Sequence, residues 1–143
     1  MNMVRSSRSL PLELARVLVV DDNPTSRLTL QTLLQAGGYR VDSAATAAEA
    51  VEKLDDQEYE LVLSDLQMES PEAGLKVIAY AQCMEYQPAT ALINSETNGD
   101  ADHSRASVLI APQDIPGLLA KVANLIARRV TRRVRKEFRH LRN

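Results

Sequence analysis

From residue 16 onward, apolar and polar positions fall into two alternating patterns. Short β-branched runs are apolar at consecutive positions, and between them lie longer segments whose apolar residues recur at helical spacing. This alternation predicts an α/β fold, a doubly wound parallel sheet with crossover helices and an extended C-terminal helix. The first strand is expected at residues 17–20, VLVV, whose unbroken apolarity implies burial on both faces. A helix follows from Pro24 or Thr25 past Leu28, Leu30, Leu33 and Leu34 to Gly37 and Gly38, with proline at its start and glycine at its stop. Residues 40–44 form a second strand. Ala47, Ala50, Val51 and Leu54 mark the next helix, and residues 61–64 form a third strand that ends at Asp65. A third helix is expected over 75–85, a fourth strand over 90–93 and a fifth over 108–110. Between those strands residues 94–107 are polar, contain Asn98-Gly99 and offer few apolar anchors, which predicts a loop or a short frayed helix. The last helix is expected to open with Asp114 as N-cap and Pro116 in its first turn, and its pattern runs through Leu118, Val122, Leu125 and Ile126 toward Leu141.

The 143 residues amount to about one ordinary domain, and a hydrophobic content of 45% suffices for a sizeable core. Residues 1–14 are polar and unpatterned and read as a disordered leader, 15–127 as the folded domain and 128–143 as a basic extension of the last helix. No apolar run approaches the roughly 20 residues that span a bilayer, and the first residues lack the apolar stretch of a signal peptide, so a soluble cytoplasmic protein is expected. The single cysteine, Cys83, cannot form an internal disulfide and reads as a packing residue on an amphipathic helix.

Charge changes this picture more than composition does. Arg128, Arg129, Arg132, Arg133, Arg135, Lys136, Arg139 and Arg142 against Glu137 give the last sixteen residues +7, and the whole-chain −2 less +7 leaves −9 for residues 1–127. Ile126, Val130, Val134, Phe138 and Leu141 form an apolar stripe bordered by these arginines. At 1.5 Å per residue, a helix over 115–141 is about 40 Å long, longer than a small domain is wide. Its end must therefore fold back on the domain, pair in a homodimer or bind a partner, with Arg128, Arg132, Arg135 and Phe138 the candidate contacts. Nucleic acid is a weak fit, because no helix-turn-helix pattern precedes the tail and Phe138 is its sole aromatic ring beyond His140. Anionic lipid is the other polyanion open to such a helix. His103 and His140 lack ligand-spaced companions and read as solvated surface groups.

Candidate chemistry lies at the strand ends. In an open parallel sheet ligands bind outside the carboxyl ends of the strands, where the connections diverge, and Asp21, Asp22 and Asp65 all fall there. Converging carboxylates repel one another, and a hard divalent cation with oxygen ligands, typically Mg²⁺, relieves that repulsion. Such a metal would also neutralise an incoming phosphoryl group and leave a carboxylate free to attack it. Taken alone, Asp21-Asp22-Asn23-Pro24 is equally well a helix N-cap whose acids favour the helix dipole. Asp65, at the end of an independent strand, tips the balance toward a site.

Together, RVLVVDDNPTSRLTLQTLL and, some way on, LVLSDLQM resemble the receiver domain of two-component response regulators, of the stand-alone chemotaxis type, over about residues 16–127. The resemblance implies a flavodoxin-like fold of five parallel strands flanked by five helices. It further implies that Asp21 and Asp22 bind Mg²⁺, that Asp65 accepts a phosphoryl group from a histidine kinase or phosphotransfer protein, and that the backbone carbonyl of Gln67 completes the metal shell with Asp65.

Departures from the family pattern are as informative. Members usually carry a lysine before a proline after the fifth strand, its ammonium contacting the acceptor carboxylate or its phosphate; here VLIAPQD places Ala111 before Pro112. The hydroxyl that follows the phosphate has Ser95 as its candidate, while alignment to the strand end puts Asn94 or Ile93 there. Val108 stands in place of the switch aromatic. After Asp65 the usual Met-Pro is broken, with Met68 followed by Glu69, Pro71 displaced and Gly74 one residue late. Loss of the lysine is expected to weaken phosphate-driven rearrangement more than metal binding, since the carboxylate cluster stays intact.

The leading expectation is thus an atypical phosphorelay receiver that signals through protein contacts. The alternative is a non-phosphorylated pseudo-receiver acting as a constitutive interaction or dimerisation module, for which Ala111 is the main argument. An enzyme with an aspartyl-phosphate intermediate needs an acid or base that the sequence does not place next to Asp65, so no enzyme activity is expected.

Overall fold

The computed structural model describes residues 15–66, 68–70, 72–93, 108–110 and 115–142, without the side chains of 108–110, 115, 116 and 140–142. The strands are β1 (Arg16–Val20), β2 (Arg40–Ala44), β3 (Leu61–Asp65), β4 (Ala89–Ile93) and β5 (Val108–Ile110). The helices among the described residues are α1 (Pro24–Ala36), α2 (Ala47–Asp56), α3 (Ala73–Gln82) and α4 (Ile115–Arg142). All strand pairs are parallel, in the order β2-β1-β3-β4-β5, and β5 joins through Val108 to Ile110 opposite Ala91 to Ile93. Expectations for residues 1–14, Gln67, 94–107 with Ser95 and His103, Ala111 and Asp114, and for the side chains of Val108, Pro116, His140 and Leu141, lie outside the described residues.

Alternation along the central strands sorts their side chains into two cores. Val17, Val19, Leu61, Leu63, Ala91 and Ile93 face α1 and α4, packing on Leu30, Leu34, Leu118 and Val122. Leu18, Val20 and Val62 face α2 and α3, packing on Ala50, Leu54, Val77 and Ala81. Helices therefore cover both faces, which is why residues 17–20 of β1 and 61–63 of β3 are all apolar. Each fully buried valine or leucine contributes about 1.5–3 kcal/mol. Asparagine caps α1 and threonine caps α2, each accepting a bond from an N–H of the first turn.

Three local expectations are corrected. The third helix begins and ends earlier than its periodicity predicts, and it stops where the Cys83 N–H turns back onto the carbonyls of Ala79 and Tyr80, before the chain passes through Gln87 at φ 46°. Cys83 is consequently not a packing residue: it stands exposed at the C-cap of α3, past the last turn that touches the core. Leu28, read as part of the apolar face of α1, is 64% exposed, since the buried face of that helix centres on Leu30 and Leu34.

Candidate functional site

Val20 lies opposite Ser64 in the β1–β3 ladder, so the residues at the ends of these two strands emerge side by side. The strand order reverses direction between β1 and β3, which opens a crevice at their carboxyl ends. Into it come Asp21, the residue after β1, and Asp65, the last residue of β3, only 2% and 4% exposed. Asp22 beside them is exposed. One carboxylate oxygen of each lies within 4.8 Å of the others.

The structure separates the two readings of Asp21-Asp22-Asn23-Pro24. Asn23 is the N-cap, its side-chain oxygen accepting from the Ser26 N–H at 3.0 Å, and the first turn of α1 holds no acidic residue. Neither aspartate serves the helix. Instead, Asp21 Oδ1 accepts from the Asn23 N–H at 3.0 Å, and the Asp21 N–H donates to the Ala44 carbonyl at 3.0 Å, extending the β1–β2 ladder by one residue. Both bonds aim the carboxylate into the crevice. Arg27, one turn into α1, donates from Nη1 to the Asp21 carbonyl at 2.8 Å and brings a guanidinium beside the cluster.

Burial is the main reason the Asp21 carboxyl titrates above its ordinary value; the N–H of Asn23, the bond to Asp65 and the charge of Arg27 pull it down, while Asp22 pushes it further up. A carboxyl raised in the folded state stabilises the fold below its unfolded pKa, and that contribution is lost as pH rises through the folded value. At neutral pH the ionised cluster therefore opposes folding unless a cation joins it. Asp21→Asn keeps the acceptor for Asn23 but removes the buried charge. In a metal chelator near pH 7 it is expected to raise the melting temperature by roughly 3 °C, and to lack the rise that added Mg²⁺ is expected to give the wild-type protein. A chelator-insensitive melting temperature in both proteins would show that the cluster binds no cation.

The donor set fits a hard divalent cation: three carboxylate oxygens gathered at one crevice, two of them from buried groups whose charges need compensation. Glu69, in the segment after β3, accepts from the Ala47 N–H at 3.2 Å and ties that segment to the start of α2. Of the candidate residues, Asp21, Asp22 and Asp65 come together here, while Arg128, Arg132, Arg135 and Phe138 lie exposed on α4. α4 passes the opposite edge of the sheet, where Arg129 reaches Gln87 and Tyr86 just before β4 and Glu60 just before β3. A groove of about 810 Å³ at that edge is lined by Gln82, Arg129, Arg132, Arg133 and Lys136.

Sequence reasoning missed three of these contributors. Arg27 left no signal beyond its place one turn after the cap. Gly74 was noted only for its position, although it backs directly on Asp65. Arg129 did leave a signal, since it follows Leu118, Val122 and Leu125 at helical spacing and so continues the buried face of α4.

An open parallel α/β sheet with a carboxylate cluster at its switch point defines a flavodoxin-like domain carrying an oxygen-donor site. The chain belongs to the response regulator receiver domain family, whose model matches residues 17–111. It is similar to the response regulator TrrA of Thermotoga maritima, solved in complex with Mg²⁺-BeF, at 30% identity and a TM-score of 0.70, covering 78% of this chain and 99% of that one. TrrA has also been solved in complex with the histidine kinase ThkA. Among curated relatives, the transcriptional regulatory protein ZraR of Escherichia coli is 34% identical over 115 residues, 78% of this chain and 26% of ZraR. The sensor protein EvgS of the same organism is 40% identical over 60 residues, 42% of this chain. The chain spans 5% of EvgS. No helix among the described residues is long and apolar enough to cross a membrane.

Proposed function

We propose that this receiver domain accepts a phosphoryl group on Asp65, with Mg²⁺ held by Asp21, Asp22, Asp65 and the Gln67 carbonyl, and that it signals by protein–protein contact. The observation that carries this reading is the convergence of three carboxylates at the switch crevice, two buried and none spent on capping α1. In the transfer, an Asp65 carboxylate oxygen forms the new O–P bond as the P–N bond of a donor phosphohistidine breaks, and the electron pair leaves with the imidazole. Mg²⁺, when bound, offsets the negative charge of the carboxylates and of the phosphoryl oxygens. The chain's own residues orient and dry the site. Asn23 and Ala44 hold Asp21, burial shields Asp65 from water, and Arg27 adds positive charge beside Asp21 in a chain whose sequence has Ala111 in place of the family's lysine. TrrA in complex with ThkA supports a histidine kinase as donor.

Intact-mass spectrometry after incubation with acetyl phosphate tests the reading. A phosphoryl adduct is expected with Mg²⁺, and none with a chelator or in Asp65→Asn. The second reading, a pseudo-receiver that acts as a constitutive interaction or dimerisation module, is favoured by Ala111. No adduct under conditions that label an ordinary receiver would select it.

A further inference from the structure

α4 changes character along its length. Leu118 and Val122 are buried against the sheet, and Leu125 and Ile126 pack partly on the same core. Arg129 closes this half, donating from Nε to the Gln87 carbonyl at 2.9 Å and from Nη2 to the Tyr86 carbonyl at 2.6 Å. Beyond it every described side chain from Val130 to Arg139 is exposed. Val130, Val134 and Phe138 stand 48%, 48% and 63% exposed at four-residue spacing, so they share one stripe of the helix. At about 100° per residue, Arg133 and then Glu137 run along one side of that stripe and Arg135 and Arg139 along the other. Among the described residues, Arg128, Arg132, Arg133, Arg135 and Arg139 carry no ion pair.

We propose that this half of α4 is a peripheral membrane anchor. It lies on an anionic lipid surface with Val130, Val134 and Phe138 at the acyl boundary and the flanking arginines on headgroup phosphates. An apolar stripe bordered by unpaired arginines is matched by a surface that is apolar below and anionic above. A second copy of α4 would cover the stripe only by bringing +7 against +7. A nucleic acid backbone would pair the arginines and leave the stripe in water. The stripe also turns away from the Arg129 face as it advances by about 40° per step of four residues, so the exposed half can lie flat while the domain stands clear. Residues 1–127, at −9, are repelled by an anionic surface. With α4 leaving at the amino edge of the sheet, that repulsion holds Asp65 and its crevice toward solution, open to a phosphodonor.

The test uses the full chain with vesicles of phosphatidylglycerol and phosphatidylcholine, compared with phosphatidylcholine alone. The chain contains no tryptophan, so Phe138→Trp gives a single clean reporter. Flotation with the anionic vesicles only, and a blue shift of the Trp emission on binding, are expected. Val134→Asp combined with Phe138→Asp is expected to lower vesicle binding about tenfold or more. Both residues are exposed, and an unchanged melting curve checks that the variant folds. Absence of flotation, flotation of the double variant equal to wild type, or an unshifted Trp would overturn the proposal. Tight binding to DNA that is insensitive to the double variant, or a dimer in light scattering that the variant dissociates, each without vesicle binding, would assign α4 to another partner. None of these readouts depends on phosphorylation, so failure here is distinguishable from failure of Asp65 as acceptor.

Discussion

Gly74→Ala is expected to destabilise the protein by about 3 kcal/mol, lowering the melting temperature by roughly 10 °C, and to impair labelling of Asp65 by acetyl phosphate. In an exposed helix interior the same change stabilises by nearly 1 kcal/mol, so the sign here is set by packing. A Cβ at Gly74 would fall far inside contact distance of the Asp65 carbonyl oxygen, and 3.3 Å from both the Asp65 carbonyl carbon and the Leu66 carbonyl oxygen. Those atoms have little freedom. Asp65 is paired with Ile93 in the β3–β4 ladder, and the Leu66 N–H donates to the Ile93 carbonyl at 2.8 Å. The start of α3 must move instead, which disturbs the packing of Ala73, Val77 and Ala81 and shifts the backbone that carries the acceptor. Thermal denaturation with and without Mg²⁺ measures the effect. A melting temperature equal to or above wild type would mean that the helix–strand approach is looser than described.

Arg129→Ala should cost about 3 kcal/mol, although its neighbour Arg128→Ala, on an exposed side chain, stays within about 0.5 kcal/mol. The Arg129 side chain is 4% exposed, and its guanidinium holds the carbonyls of Tyr86 and Gln87 while Nη1 faces Glu60 Oε2 at 3.6 Å. Truncation leaves the carbonyls of Tyr86 and Gln87 without this donor and removes the ion pair with Glu60, whose carboxylate keeps the Arg16 N–H at 3.2 Å. It also frees Gln87, held at a left-handed φ of 46° that a non-glycine residue adopts only when its surroundings require it. Arg129→Lys is not expected to rescue, since a point-charge ammonium cannot reproduce the forked donation. Melting curves of the three variants, with hydrogen exchange along 86–89 and α4, check the result: equal melting temperatures for Arg128→Ala and Arg129→Ala would remove the anchor from the account.

Periodicity carries most of the fold because burial on both faces leaves a direct trace. The runs at 17–20 and 61–63 are apolar throughout for the same reason that helices cover both sides of β1 and β3. Position in chain order then places Asp21, Asp22 and Asp65 at strand ends, because a parallel sheet puts every strand's carboxyl end on one edge. What periodicity misses is where an element stops. The end of α3 depends on a turn through Gln87 that Arg129 braces from more than forty residues away, and Cys83 leaves the core with it.

By itself, then, the sequence determined the parallel α/β architecture, the two-faced cores, the acidic strand ends and the division of charge between body and tail. Each follows from local patterns of polarity, which act through secondary structure and burial. Tertiary structure alone decided that Asn23 caps α1 and so frees Asp21 and Asp22, that Gly74 backs on Asp65, and that one arginine in a run of like residues is buried while its neighbours are exposed. These outcomes rest on atoms brought within a few ångströms by chain segments far apart in order. No composition or spacing encodes such contacts, because they exist only once the sheet and its helices have packed.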